Sequence, residues 1–303
     1  MAEINYEKNL VRKPVYEEGG GVKGRQAPVM TYMSNQLVPG CNIYIELGWI
    51  YDIPQPNPHI FEHSHDYEEI VLHIGGDPDN PDDLGGEIEY YVGGQPLTFD
   101  KTTALYIPKG VKHGPIIWKK FRKPHIEMSI ILGPGSTKEA WASGASKPEG
   151  LPQKKDDTDY EKYLVRNPPA IGDTEITRAL KSPAKIYMSS DLIPECNNYI
   201  DFGWIYGLPE PNPPIQDHSH DYEEVVMLIG GDPSNPEDLG AEVEFRIDEQ
   251  PLTFDTTMAL YVTKDIKHGP LTWKSYDRRH LLMPIILGAG TMAEAAPAGY
   301  KEE

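Results

Sequence analysis

Short apolar runs, rich in β-branched and aromatic residues and ended by turn residues, recur along the whole chain. Runs of this length between clusters of Gly, Pro, Asn or Asp are typical of β-strands. Helical patterns are sparse, and residues 138–144 (KEAWASG) form the best short helix candidate. Several evenly spaced short strands indicate a sandwich or barrel. The strands that we predict in the first half are 43–51 (IYIELGWIY), 68–76 (EEIVLHIGG), 86–92 (GEIEYYV), 103–108 (TALYIP) and 125–133 (HIEMSIILG).

The pattern occurs twice, at a constant offset of 155 positions. Between residues 63–133 and 218–288, 43 of 71 positions are identical. A polar segment rich in Pro and Gly, residues 143–159, separates the copies as linkers do. We therefore predict a tandem duplication with an N-terminal domain over 1–150 and a C-terminal domain over 151–303.

Charge and composition narrow the function classes. The 303 residues carry a net charge of −19, which argues against nucleic acid or an anionic membrane surface as a partner. No secretory signal and no stretch of 18 apolar residues is visible. The two cysteines, Cys41 and Cys196, occupy equivalent positions in the copies, so a disulfide is not expected and a cytoplasmic location is predicted. With nucleic acid and membranes disfavoured, the partners that we expect are a small-molecule substrate and, if the protein forms a homo-oligomer, further copies of this chain.

The heptapeptide HSHDYEE stands at residues 63–69 and again at 218–224. In a strand, residues i and i+2 face the same way, and Glu69 would share the face of the histidines if the chain stays extended. An HGP histidine follows 50 positions after the first histidine of each copy. Imidazoles and a carboxylate on one face suit a first-row metal. The eight predicted ligands are His63, His65, Glu69, His113, His218, His220, Glu224 and His268.

The pairing of histidines between the copies supports this hypothesis. A lone histidine on a strand is usually a half-buried polar residue. Of ten histidines, however, eight occupy paired positions, and only His59 and His73 have no histidine as equivalent. Each half is large enough to bury a core without a metal, so a catalytic or ligand-binding metal is favoured over a structural one.

Four further residues are candidates for catalysis. Tyr67 lies between the ligands, with a core aromatic as an equally weighted alternative. His125, matched by His280, is a candidate for orienting a ligand or for acid–base catalysis, and the alternative is a satisfied core histidine. His73 and Glu127 occur only in the first copy, and they are the residues that would give its pocket a chemistry different from that of the second pocket.

The motifs resemble those of the cupin superfamily. Its first motif is G-x5-H-x-H-x3,4-E-x6-G and its second is G-x5-P-x-G-x2-H-x3-N. Residues 63–76 match the first motif from its first histidine to its last glycine, residues 218–231 match it again, and residues 108–113 match P-x-G-x2-H. The resemblance covers both halves and is that of a bicupin. It implies an all-β fold of two tandem double-stranded β-helix (jelly-roll) barrels, each with a metal held inside by three histidines and one glutamate.

The second copy departs from the second motif. Thr263, Lys264 and Asp265 replace P-x-G, although His268 remains. We therefore expect the turn that presents His268 to be rebuilt, and we favour the first site as the active one. Both copies also lack the leading glycine of the first motif.

A sulfur-free set of three imidazoles and one carboxylate fits a divalent Mn, Fe, Ni, Co or Zn ion, one per barrel. Four ligands on a six-coordinate ion leave two positions for substrate, water or dioxygen. The resemblance implies a metal-dependent enzyme that acts on an enol, phenol or carboxylate, with an oxidoreductase of the dioxygenase type favoured and Mn, Fe or Ni as its metal. The alternatives are a non-oxidative lyase or decarboxylase, isomerase or hydrolase that uses the metal as Lewis acid, and a non-catalytic ligand-binding cupin.

Overall fold

Each copy of the repeat folds into a β-barrel. The computed structural model describes residues 5–17, 22–133 and 150–295. The helix candidate at 138–144 lies outside these residues. The strands of the first copy are β2 (Val15–Glu17), β3 (Lys23–Arg25), β4 (Val29–Met33), β5 (Ile43–Gln55), β6 (Glu68–Gly75), β7 (Asp83–Val92), β8 (Gln95–Lys101), β9 (Thr103–Ile107), β10 (His113–Phe121) and β11 (His125–Leu132). The five predicted strands are confirmed as β5, β6, β7, β9 and β11.

The first barrel consists of two antiparallel sheets. One has the strand order β12-β9-β6-β11-β5-β4-β2, with β12 at Leu164–Val165 and with β3 on β5, and the other has the order β10-β7-β8. Leu97 and Phe99 of β8 are buried whereas Pro96 and Thr98 are exposed, which is the alternation of a sheet with one core face. This packing confirms the all-β barrel expected from the sequence.

The second barrel repeats this topology. Its strands are β13 (Lys185–Met188), β14 (Asn198–Ile205), β15 (Glu223–Gly230), β16 (Asp238–Ile247), β17 (Gln250–Thr256), β18 (Met258–Val262), β19 (His268–Tyr276) and β20 (His280–Leu287). They form a sheet of order β1-β18-β15-β20-β14-β13, with β1 at Leu10–Val11, and a sheet of order β17-β16-β19.

Two short helices belong to the same unit as the second barrel. Helix α1 (Glu175–Leu180) begins with a capping box, in which Thr174 and Thr177 satisfy each other's backbone N–H groups. Helix α2 spans Met292–Ala295. No described helix is long and apolar enough to cross a membrane.

The segment that precedes each copy pairs with the other barrel. Strand β1 pairs with β18, and β12 pairs with β9. The chain accordingly divides into one compact unit of Met1–Lys13 with Pro168–Glu303 and another of Pro14–Asn167. The boundaries of these units differ from those of the predicted domains 1–150 and 151–303. The reason is that the segment before each copy, which we call its arm, contributes a two-residue strand to the barrel of the other copy. Such a pairing leaves no signal in the sequence.

Each arm is fixed by an equivalent tyrosine in a 3₁₀ turn, at Tyr6–Asn9 and Tyr160–Tyr163. The backbone N–H of Tyr6 donates to Gln250 Oε1 (2.9 Å), and its buried side chain donates to Asp248. Tyr160 makes the same backbone bond to Gln95 Oε1 (3.1 Å) in the other unit. The arms are thus docked by side-chain amides that both copies retain.

We predict that the arm tyrosines stabilise the barrel that comes from the other copy. Truncating a buried aromatic residue costs about 3 kcal/mol, so Tyr6→Ala should speed amide hydrogen exchange in β18 at least tenfold and leave β9 unchanged. Tyr160→Ala is the matched control and should do the reverse. Faster exchange in β9 after Tyr6→Ala would contradict the exchange of arms.

Candidate metal centres

A reciprocal backbone pair positions two histidines in each barrel. The N–H of His63 donates to His113 O (2.9 Å), and the N–H of His113 donates to His63 O (2.8 Å). Their ring centroids lie 4.1 Å apart. His218 and His268 form the same pair, with both bonds at 2.8 Å and centroids 4.2 Å apart. Residues that exchange both hydrogen bonds lie directly opposite each other, so their side chains share one face.

The other two ligands reach the same point by a different route from the one expected. The chain does not stay extended, because it bends at Asp66 and Tyr67 before β6 begins. His65 is instead held by the N–H of Gly110, which donates to its carbonyl (2.9 Å). Glu69 lies inside β6, where pairing with β9 and β11 fixes its direction. The predicted convergence therefore holds, although an extended chain, the condition stated for it, is not present at this bend.

The eight predicted ligands form two clusters of three histidines and one glutamate, in which the ligand atoms lie within 4.8 Å of one another. In the first cluster Glu69 Oε2 is 3.2 Å from His65 Nε2 and 3.1 Å from His113 Nε2. In the second, Glu224 Oε2 is 3.2 Å from His220 Nε2 and 3.4 Å from His268 Nε2.

All six histidines are oriented in the same way. Each Nδ1–H donates to a main-chain carbonyl at 2.8–2.9 Å, which leaves Nε2 as the atom that faces the cluster. In a neutral imidazole this tautomer has its lone pair on Nε2, where a metal binds. Three such lone pairs and a carboxylate at one point fit a divalent cation. The accepting carbonyls are those of Phe61, Tyr67, Val111, Gln216, Tyr222 and Ile266.

The protonation states also suit a cation. Burial lowers the pKa of His63 to about 4, which keeps it neutral. Burial acts to raise the pKa of Glu69, but His113, His65 and the hydroxyl of Ser129 hydrogen-bond to it and hold that pKa well below its usual range. The pKa of Glu224 is likewise lowered, to about 2, against the effect of its burial. Each cluster thus offers an ionised carboxylate at neutral pH.

The turn before His268 is not rebuilt, contrary to expectation. Asp265 adopts φ 63°, close to the φ of 76° at Gly110, and its N–H donates to His220 O (2.7 Å) just as Gly110 donates to His65 O. Asp is among the few non-glycine residues that tolerate this left-handed conformation. The two clusters are therefore presented by equivalent backbones, and turn geometry gives no reason to rank one above the other.

The walls around the two clusters differ. Beside the first is a cavity of about 20 Å³, bordered by an ion pair between Arg25 Nε and Glu127 Oε2 (3.0 Å). Glu46 lies 3.9 Å from the same guanidinium. Burial would raise the pKa of Glu127, but the charge of Arg25 and neighbouring histidines keep it below the ordinary value. This cavity is small, polar and charged.

The cavity beside the second cluster has a volume of about 170 Å³ and is bordered mainly by aliphatic side chains and Phe245. Asp201 is the acid in its wall, at the position equivalent to Glu46. Burial raises the pKa of Asp201 to about 7. No lysine or arginine is among the described residues that border this cavity.

The structure separates the four predicted catalytic residues into two groups. His125 accepts a hydrogen bond at Nε2 from Trp118 Nε1 (3.2 Å) and donates from Nδ1 to Lys123 O (3.2 Å), which is the arrangement of a satisfied core histidine. Tyr67 packs its ring on Tyr44 and holds His65 through its main-chain carbonyl. Neither borders the first cavity, and a catalytic role for them remains a prediction.

His73 and Glu127 belong together. They are directly opposite each other on β6 and β11, and Glu127 borders the first cavity. His73 is fully buried, its ring centroid is 5.2 Å from that of Phe99, and burial lowers its pKa to about 4. Leu228 and Leu282 form the equivalent pair in the second barrel. The two residues found only in the first copy thus form one cross-strand pair near its cavity.

Arg25 and Ser129 border the first cavity but are not among the predicted site residues. Arg25 belongs to β3, which precedes the part of the repeat that aligns without gaps, and only tertiary pairing brings it to Glu127. Ser129 was detectable, because His125, Glu127 and Ser129 are alternate polar residues within the apolar run of β11. In the second copy the last two positions are Leu282 and Pro284.

No protein-family model matches the sequence, and no curated protein is significantly similar to it. Solved structures do match. AerE from Microcystis aeruginosa is 12% identical, with a TM-score of 0.50 over 90% of this chain and 97% of that one. An oxalate decarboxylase of Bacillus subtilis, described for its Mn(II) centres, is 10% identical, with a TM-score of 0.54 over 87% and 76% of the chains. A formate complex of oxalate decarboxylase from Lactobacillus farciminis is 9% identical, with a TM-score of 0.55 over 87% and 82%. At such identities the similarity shows the fold.

We predict one divalent metal ion per cluster. Protein purified without a histidine tag or chelator should contain close to two ions per chain, by elemental analysis. His63→Ala and His218→Ala should each lower that number by one, because three remaining ligands hold the ion more weakly. Metal below about a tenth of an ion per chain, unchanged after incubation with Mn, Fe, Ni, Co and Zn, would contradict both sites.

We predict that buried histidines make the first barrel acid-sensitive. The pKa of His73 is about 4 when folded and about 6.5 when unfolded, so the unfolded state gains protons first as pH falls. Stability should be fully present above pH 6.5 and decline towards pH 4. His73→Leu, which copies Leu228 of the second barrel, should reduce the loss between pH 7.5 and 5 by about 1 kcal/mol or more. An unchanged pH dependence in denaturant titrations would contradict this role.

Proposed function

We propose that this chain, which has the two-barrel fold of the bicupins, is a metal-dependent enzyme acting on a small oxygenated organic substrate. The observation that carries the proposal is the pair of clusters in which three Nε2 atoms and one carboxylate face a single point. Bound there, a Mn, Fe or Ni ion would supply Lewis acidity and, with dioxygen, electron transfer. Every Nδ1–carbonyl bond keeps the ligands in place while substrates enter and leave.

We further propose that the first barrel carries the reaction. Its cavity of about 20 Å³ is little larger than the roughly 10–15 Å³ that one water needs, so an organic substrate would displace bordering side chains to reach the ligands. The guanidinium of Arg25 can bind a carboxylate or enolate oxygen of the substrate. Glu127, which is ionised at neutral pH, can accept a proton from a substrate hydroxyl, and Arg25 stabilises the charge of that carboxylate before the transfer.

Two reactions fit these residues. Dioxygenation is our first proposal, because removal of a proton by Glu127 converts an enol into the electron-rich enolate that reacts with dioxygen. Non-oxidative decarboxylation is the second. It is favoured by the similarity in fold to oxalate decarboxylases. Glu127 would then take the proton of the bound acid and return it to the carbon atom from which carbon dioxide leaves, so that the carboxylate is regenerated.

The test is turnover of two- to four-carbon carboxylic acids, oxalate among them, and of enolisable ketones, with and without dioxygen. Carbon dioxide release and dioxygen consumption distinguish the two reactions. We expect His63→Ala to lower kcat/KM at least 100-fold and His218→Ala to retain most of it. Full activity in His63→Ala together with its loss in His218→Ala would place the reaction in the second barrel. No turnover by metal-loaded protein across the panel would favour a ligand-binding protein instead.

We expect Arg25→Leu to lower kcat/KM for the first-barrel substrate about 10- to 100-fold, mainly through KM, because the loss is of a charged anchor. This variant leaves Glu127 buried and unpaired, so a matched control is needed. The double variant Arg25→Leu/Glu127→Leu copies Leu180 and Leu282 of the second barrel and removes the ion pair as a unit. A KM unchanged in both variants would exclude Arg25 from substrate binding.

A further inference from the structure

The two cavities are equivalent in position and opposite in chemistry. The metal-ligand sets beside them are identical, yet wall residues that are polar in the first barrel are apolar in the second. The replacements within the aligned part of the repeat are Tyr90 by Phe245, Glu127 by Leu282 and Ser129 by Pro284. Arg25 precedes that part, and Leu180 stands at the same offset. Both sets border their cavities, so these changes lie where a ligand would bind.

The local fold changes together with these side chains. In the first barrel the segment before the repeat is strand β3, which brings Arg25 to the cavity. In the second barrel the equivalent segment is helix α1, which brings Ile176 and Leu180 instead. At the other side, the hydroxyl of Tyr222 donates to Ala295 O (2.6 Å) and fixes α2 beside the cavity. Helix α1 thus supplies Ile176 and Leu180 to the second cavity, where the first cavity has the cation of strand β3.

The size of the second cavity matches a single ring. A cavity of about 150 Å³ lined by Leu, Ile and Phe side chains can bind benzene. The cavity here has about 170 Å³, and its walls include Leu271, Leu282, Ile286 and Phe245. A molecule of one or two atoms would leave most of this apolar surface uncovered.

None of the polar side chains that border the cavity is a fixed cation. They are the ligands His218, His220 and Glu224, the acid Asp201, and the hydroxyl residues Thr174, Thr177, Ser182, Tyr199 and Tyr222. A carboxylate ligand would find no guanidinium here, in contrast to the first cavity. A neutral molecule with one oxygen donor would place that oxygen towards His218 and Glu224 and its ring against the aliphatic wall.

We propose that the second barrel binds a neutral, phenol-sized molecule with one oxygen donor, a class of ligand different from the small acid or enol of the first barrel. The placement of the oxygen rests on the proposed metal-dependent function, whereas the fit of the ring rests on the cavity alone. The protein therefore recognises two different molecules at two metal centres that share the same set of three histidines and one glutamate.

The test is calorimetric titration of the purified protein with benzene, phenol and oxalate. Benzene needs neither metal nor turnover, so its binding is measurable whether or not the enzyme proposal holds. We expect saturable binding of one benzene per chain and tighter binding of phenol when metal is loaded. Val226→Phe, which fills the second cavity, should weaken benzene binding at least tenfold, and Val71→Ile at the matched position of the first barrel should leave it unchanged.

A crystal grown with 4-bromophenol provides a readout that does not depend on the folding of a variant. The anomalous signal of bromine should lie between Phe245 and Leu282. Bromine in the first barrel, or no saturable binding of benzene or phenol, would overturn the proposal. Turnover without ring binding would refute this proposal alone, and ring binding without any turnover would refute only the enzyme proposal.

Discussion

The reciprocal backbone hydrogen bonds between His63 and His113 are the constraint on which each metal centre depends. They join two segments that are 50 residues apart, and they place both histidines on one face through main-chain bonds alone. The Nδ1–carbonyl bonds then set the ring orientations, and β6, which belongs to the other sheet, adds Glu69. A metal site built in this way relies on main-chain geometry, which substitution elsewhere hardly disturbs.

This independence explains how two identical ligand sets can have such different walls. The groups that orient the ligand histidines are main-chain carbonyls, whereas the residues that differ between the two cavities act through their side chains. Arg25 and Glu127 could be exchanged for Leu180 and Leu282 without moving a ligand histidine. The exchange had to involve both partners, because a single replacement would leave a buried charge without compensation.

Much of the fold and the ligand set was predictable from the duplicated sequence. Comparing the two copies shows which positions have the same residue in both and which positions differ. Barrel strands and all eight ligands follow from that comparison. Three features did not follow. Arg25 reaches the cavity only through tertiary pairing of a three-residue strand. The arms pair through two residues each, too few for a pattern. Asp265 preserves a turn that its sequence suggested was lost, because aspartate can adopt the glycine conformation.

The exchanged arms bear on how such a chain could have arisen. A single-barrel ancestor with the same arm would have left the edge of β9 or β18 unpaired unless a second molecule supplied its arm, which describes a swapped homodimer. Fusion of two copies turns that association into an intramolecular one, with an effective concentration in place of a dissociation constant. After fusion, the association of the two copies no longer required that they have identical sequences. The freedom of one barrel to change its walls is then a consequence of covalent linkage.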